Sequence, residues 1–430
     1  MKKIVVTLAA GIAALFACTP TNEDSVKDPI TISSPTPTRQ ITKVTLNESQ
    51  LGYVKAGNTM AVRLLRRMYD GEDLICSPLS LQYALAMTAN GASGGTLQEI
   101  VDFLGYGADG IEALNAYCKL LLEQLPAVDL NVDLKVTDAL LVNDEFPLQP
   151  SFRKTVEDNY YAAVENMDFS DPELIAARIN EWSRRNTNGF IDKVLEASDI
   201  DTRLVACLMN ALYFKAKWAG SEYDPMFLEE STSSEDFTLA DGSSRKVKMM
   251  KGYHSLPYAE KDGFRVLALP YANHKYYMYF LLPDGNDLDG LMEKIKDASW
   301  NDLVRDLGDD YDVSVWLPKF TIEKKYDLQD VLTALGLEKA FDKYEAEFDR
   351  MFDTAPGAFR YWIGKIIQKA KIAVAEWGTE AAAVTVVQMY AEGAAAPQKQ
   401  VDFHLDHPFV FAIGEVTSGT ILFEGVYTGR

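Results

Sequence analysis

Between residues 47 and 200 the apolar positions recur mostly at intervals of three and four. Leu51, Val54, Met60, Leu64, Leu65 and Met68 share one face of a helix expected from Asn47 to Tyr69, with Asn47 placed to cap its start. Ser77-Pro78-Leu79-Ser80, followed by Leu81, Ala84, Leu85, Met87 and Thr88, predicts a second helix with proline in its first turn and an end at Asn90-Gly91. Further helices are expected over 96–104, 110–125, 149–161 and 173–187, with a strand-like run over 132–142. From Arg203 the pattern changes. Short apolar runs at 204–214, 237–239, 247–250, 264–269, 276–282 and 313–322 predict strands, as do 363–374, 409–413 and 421–426. Helices return over 288–307 and 328–335. Strands interleaved with helices, without strict βαβ alternation, predict an α+β class with antiparallel or mixed sheets. A chain of 430 residues is long enough for two or three domains, but the pattern shows no repeat and no linker after residue 46. One large domain over 46–430 is expected.

The N-terminus has a different character. Lys2 and Lys3 precede an apolar run from Ile4 to Phe16, too short for a membrane span and laid out like a secretory signal peptide. Leu15-Phe16-Ala17-Cys18 resembles a bacterial lipobox, which makes Cys18 the expected lipidation site and 1–18 the signal segment. Ordinary secretion or an uncleaved anchor is the alternative. Residues 19–45, rich in Thr, Ser, Pro and Asp, are expected to form a tether. The chain would then be exported and lipid-anchored to a bacterial cell envelope, at the outer membrane or surface. A formal net charge of −21 repels nucleic acid and anionic lipid, so contact with a membrane is expected through the lipid alone. The remaining cysteines, Cys76, Cys118 and Cys207, lie in apolar surroundings and match no zinc spacing. They read as buried small hydrophobes.

One segment stands apart. Ala375 to Gln400 follows an apolar strand and precedes two more, yet it is rich in Ala and Gly. Laid out as a strand from Thr379, one face carries Thr379, Ala381, Ala383, Thr385 and Val387, all small or apolar. The other carries Glu380, Ala382, Val384, Val386 and Gln388. The first face suits a core and the second suits solvent, while Gly378 and the downstream Ala and Gly residues suit a loop. The segment is compatible with two states.

Five ordered blocks resemble the serpin family from about residue 46 to the C-terminus. They are Glu376-Trp377-Gly378-Thr379-Glu380-Ala381-Ala382-Ala383-Val384-Thr385, Asn210 to Trp218, Val315-Trp316-Leu317-Pro318-Lys319-Phe320 with Tyr326-Asp327-Leu328, His407-Pro408-Phe409-Val410-Phe411, and Thr420 to Gly425. The resemblance implies a serpin fold with a large mixed sheet, additional sheets, about nine helices and an exposed reactive-centre loop. It implies a monomer with no catalytic residues, cofactor or metal of its own, which traps serine proteases, with cysteine proteases as a further target class, by loop cleavage, acyl-enzyme formation and strand insertion. Glu376, Gly378, Thr379, Glu380, Ala381, Ala382, Ala383, Val384 and Thr385 would be the hinge. Ser77, Ser80, Asn210 and Gln368 match the shutter beneath the sheet, Gln368 standing where the family commonly has His, and Trp218 matches the breach. The family's spacing puts the cut between Glu392 and Gly393, within a window of Tyr390, Ala391, Glu392, Gly393, Ala394 and Ala395. These residues suit elastase-, chymotrypsin- or subtilisin-like targets, and the absence of Arg from the loop argues against trypsin-like ones. A non-inhibitory serpin that binds a ligand or partner is the alternative.

Two other motifs carry less. Gly91-Ala92-Ser93-Gly94-Gly95 fits a nucleophile elbow, which would suit a hydrolase, but a helix rather than a strand precedes it. His404-Leu405-Asp406-His407 is weak as a metal pair. The helix over 110–125 has Lys119 as its only base, so heparin is not an expected partner.

Overall fold

The computed structural model describes residues 35–430 except 202, 222–223, 309–310, 356, 358 and 380–398. In chain order its first elements are α1 (Glu48–Met68), β1 (Leu74–Cys76), α2 (Pro78–Gly91), α3 (Gly94–Phe103), α4 (Gly110–Gln124), β2 (Asp133–Asn143), α5 (Pro150–Tyr160), β3 (Ala163–Met167), α6 (Pro172–Asn186) and β4 (Ala206–Lys217). The chain continues through β5 (Ser233–Thr238), β6 (Ser244–Ser255), β7 (Tyr258–Lys261), β8 (Phe264–Tyr271), β9 (Tyr276–Pro283), α7 (Leu288–Ile295), α8 (Trp300–Val304), β10 (Tyr311–Pro318) and β11 (Phe320–Asp327). Last come α9 (Gln329–Ala334), β12 (Ile367–Ala375), β13 (Gly378–Thr379), β14 (Lys399–His404), β15 (Phe409–Glu415) and β16 (Ile421–Tyr427).

Local chemistry starts the helices where the pattern expects. Asn47 and Gln50 cap α1 reciprocally, each side chain accepting from the other's backbone N–H. The Ser77 hydroxyl accepts from the Ser80 N–H and opens α2 ahead of Pro78. Three sheets result. One is mixed, in the order β11-β12-β13-β4-β2-β3, with only β2 and β3 parallel. The second, β14-β10-β6-β5, pairs β10 and β14 in parallel. The third, β1-β16-β15-β9-β8-β7, is antiparallel throughout. The main core joins α1, α2 and α4 to these sheets, while a smaller cluster packs α6 onto the opposite face of β2 and β4.

Some elements depart from the pattern. The run over 313–322 is two strands rather than one: at Lys319, whose N–H donates to Lys248, the chain leaves one sheet and enters another. The apolar alternation runs over Val313, Val315 and Leu317 and resumes one step out of phase at Phe320 and Ile322, and that shift of phase marks the break. The helix expected over 288–307 splits because the Ser299 hydroxyl accepts from the Asp302 N–H and starts α8. The strand expected from residue 363 begins only at Ile367. β1, β3, β7 and β14 were not expected. They are short or polar: β1, β3 and β14 owe their extension to partners distant in sequence, and β7 is one arm of a tight hairpin with β8.

Candidate functional site

At the top of the mixed sheet the chain leaves β12 at Ala375, turns through Glu376 and Trp377, and returns as β13. Gly378 pairs with Ala375 on one side and Lys217 on the other; Thr379 pairs with Val374 and Ala216. Gly378 has φ +144°, and a Cβ there would collide with the Ala216 carbonyl, so only glycine fits this close approach. Thr379 is 3% exposed, and its hydroxyl lies 2.5 Å from that of Tyr271. Trp218 locks the turn. Its ring stacks on Tyr271 at 4.5 Å and 11°, its indole N–H donates to the Ala375 carbonyl at 2.9 Å, and its backbone N–H donates to Trp377 at 3.1 Å.

Glu376 is buried beside these groups. Lys319 lies 2.8 Å from its Oε2, and the Thr232 hydroxyl donates to its Oε1 at 2.9 Å. Burial pushes the carboxyl up, but Lys319, a backbone N–H and Thr232 together outweigh it and hold the group below the usual range. The turn is therefore anchored by charge as well as by packing.

Lower in the sheet lies a polar group at the start of α2. Gln368 accepts from the Ser77 N–H at 3.0 Å and donates to the Ser77 carbonyl at 2.9 Å. The Ser77 hydroxyl donates to Leu422 at 2.7 Å. Ser80 joins through its backbone N–H. Asn210 does not reach this group; its amide donates to Asp138 on β2 at 2.8 Å. The structure thus brings together Ser77, Ser80 and Gln368, and places Asn210 across the sheet from them. Between the two halves, among the described residues, only β13 bridges β4 and β12. Below Thr379 they flank a narrow gap lined in part by Leu212, Phe214, Ile372, Ile413 and Phe423. Glu380 to Thr385, the window from Tyr390 to Ala395, and Cys18 lie outside the described residues.

Three residues here were not singled out from the sequence. Tyr271 ends β8 and Lys319 lies between β10 and β11, and nothing local marks them. Asp138 carried a signal: it is a charge on the face of β2 otherwise made by Leu134, Val136, Leu140 and Val142, and is 3% exposed.

The remaining candidates are occupied structurally. The Ser93 hydroxyl donates to Asp349, and the described contacts of the four histidines lie elsewhere. His407 contacts Asp406 and the Pro283 carbonyl, and His404 stacks on Trp316 at 4.2 Å. Cys76 and Cys118 are buried. Cys207 is half-buried as a residue, although burial still pushes its thiol up to about 12.

The family model for serpins (serine protease inhibitors) matches residues 55–429. Serpin-Z2B of Triticum aestivum is 34% identical over 361 residues, covering 81% of this chain and 88% of its own. The native-state crystal structure of the thermophilic serpin tengpin superposes with a TM-score of 0.77 at 29% identity, covering 91% of this chain and 97% of its own. Human thyroxine-binding globulin superposes with a TM-score of 0.76 at 23% identity over 88% of this chain and 98% of its own, a likeness of fold.

Proposed function

The chain belongs to the serpin family, and we propose that it inhibits serine proteases as a suicide substrate, held at a bacterial cell envelope by a lipid on Cys18. The observation that carries this reading is the register of β13. Continued down both neighbours, that register sets Ala381 opposite Ile372 and Phe214, Ala383 opposite Ala370 and Leu212, and Thr385 opposite Gln368 and Asn210. These neighbours form the inward-facing row, where Ala370 and Ile372 are buried. An entering strand would therefore bring alanines to the apolar levels and a hydroxyl to the polar level. No charge would be buried on that face.

The chemistry belongs to the protease. Its serine oxygen attacks a carbonyl in the loop, the C–N bond breaks, and the departing amine takes a proton as a new ester forms. The freed hinge then extends β13 between β4 and β12 as an additional strand. The tethered protease is pulled out of its working geometry before water hydrolyses the ester. The uncut fold must be kinetically held for this to release energy.

The test is to mix the chain with elastase-, chymotrypsin- and subtilisin-like proteases. A denaturant-resistant band of summed mass is expected, and mass spectrometry of the released C-terminal peptide should place the cut between Tyr390 and Ala395. Cleavage by all three without that band would overturn the inhibitory reading in favour of a ligand- or partner-binding serpin.

A further inference from the structure

The polar level of the sheet has an unfinished side. Asp138 Oδ1 accepts from Asn210, but Asp138 Oδ2 and Asn210 Oδ1 are both buried without a hydrogen-bond partner. Gln368, at the same level across the gap, is satisfied by Ser77. Elements packed near Asp138 contribute Tyr83 from α2, Cys118 from α4 and Tyr160 from α5. Burial pushes all three well above their ordinary values, so they remain neutral near pH 7. No lysine or arginine among the described residues offsets the aspartate charge. Burial raises the Asp138 carboxyl to about 7, against the opposing hydrogen bond from Asn210.

We propose that Asp138 is a proton-sensitive positioning residue for strand insertion, acting through Asn210. As a carboxylate it holds the amide N–H towards β2 and leaves the Asn210 carbonyl facing the gap, ready to accept from an incoming strand. As a neutral acid it can itself donate to that carbonyl while still accepting the amide N–H, a two-bond pair that takes the carbonyl away from an incoming strand. The ionised form also burdens the unfilled sheet with a buried, half-satisfied charge. A donor arriving at the Asn210 carbonyl polarises the amide and strengthens its bond to the carboxylate. Insertion therefore releases a proton from Asp138 and becomes more favourable as pH rises through about 7. This inference rests on the insertion reading above and adds its regulation.

The experiment anneals a synthetic peptide with the sequence of residues 379–387 to the full, uncut chain between pH 6 and 8, following incorporation on native gels. The wild-type rate is expected to rise roughly tenfold across that range, and Asp138→Asn to flatten the profile. Should the variant fold poorly, proton release measured with an indicator dye in weak buffer reports on the wild type alone: about half a proton per chain at pH 7 is expected. Annealing at every pH with equal slopes in both chains, or with no proton released, would overturn the role of Asp138 and leave insertion standing. If no peptide anneals at any pH, insertion itself fails and this inference with it.

Discussion

Thr379 is the position at which the proposed mechanism asks one side chain to decide between two fates of the loop. It is seated between Ala216 and Val374 with its hydroxyl against Tyr271, where a small polar group fits and a charge does not. Thr379→Arg places a guanidinium in that position, at several kcal/mol unless it is expelled. The expected outcome is a loop that proteases still cut and a chain that no longer forms the denaturant-resistant complex, read on a denaturing gel. The same substitution should lower the thermal midpoint of the uncut chain, because Thr379 is already part of the sheet. The small size required here was legible in the sequence. Tyr271, which satisfies the hydroxyl, was not, since it lies 108 residues away.

At the scale of the element, the turn joining β12 to β13 is held by the pair of Glu376 with Lys319. A carboxyl held below its unfolded value contributes stability above that value, about pH 4.3, and loses it as pH falls through the folded one. Glu376→Gln should therefore destabilise the chain near pH 7, by about 1 kcal/mol because Lys319 is half exposed, and the difference should vanish in acid. Urea unfolding at pH 7 and pH 3 checks this; an equal effect at both would leave the charge without a role. The turn itself was legible from Glu376 and Gly378. Its anchor was not, because Lys319 lies 57 residues away and only the pairing of β11 with β12 brings it to the turn.

Across the whole molecule, stability should decline towards alkaline pH. Glu424 is fully buried between Cys76 and Trp300, and burial pushes its carboxyl up to about 8, opposed by the Trp300 N–H. The folded state then holds a proton that the unfolded state releases near pH 4.3, so stability falls as pH rises from there to about 8. Asp138 acts in the same direction below pH 7. Glu424→Gln keeps an acceptor for Trp300 and should stabilise the chain at pH 9 by roughly 2–4 kcal/mol relative to wild type, with little gain at pH 5. Thermal unfolding across that range checks it; parallel midpoints for the two chains would count against a buried titrating Glu424.

The sequence by itself determined the α+β class, most helix boundaries, and the turn at Glu376 and Gly378. These follow from local causes: side-chain period, capping residues such as Asn47 and Ser77, and the glycine at Gly378. Only the tertiary structure decided that β13 bridges β4 and β12, that Gln368 closes on Ser77, and that Asn210 turns instead to Asp138. Those choices depend on which strands lie side by side. A strand's sequence sets the face each residue occupies, whereas its neighbours set the partner each residue meets.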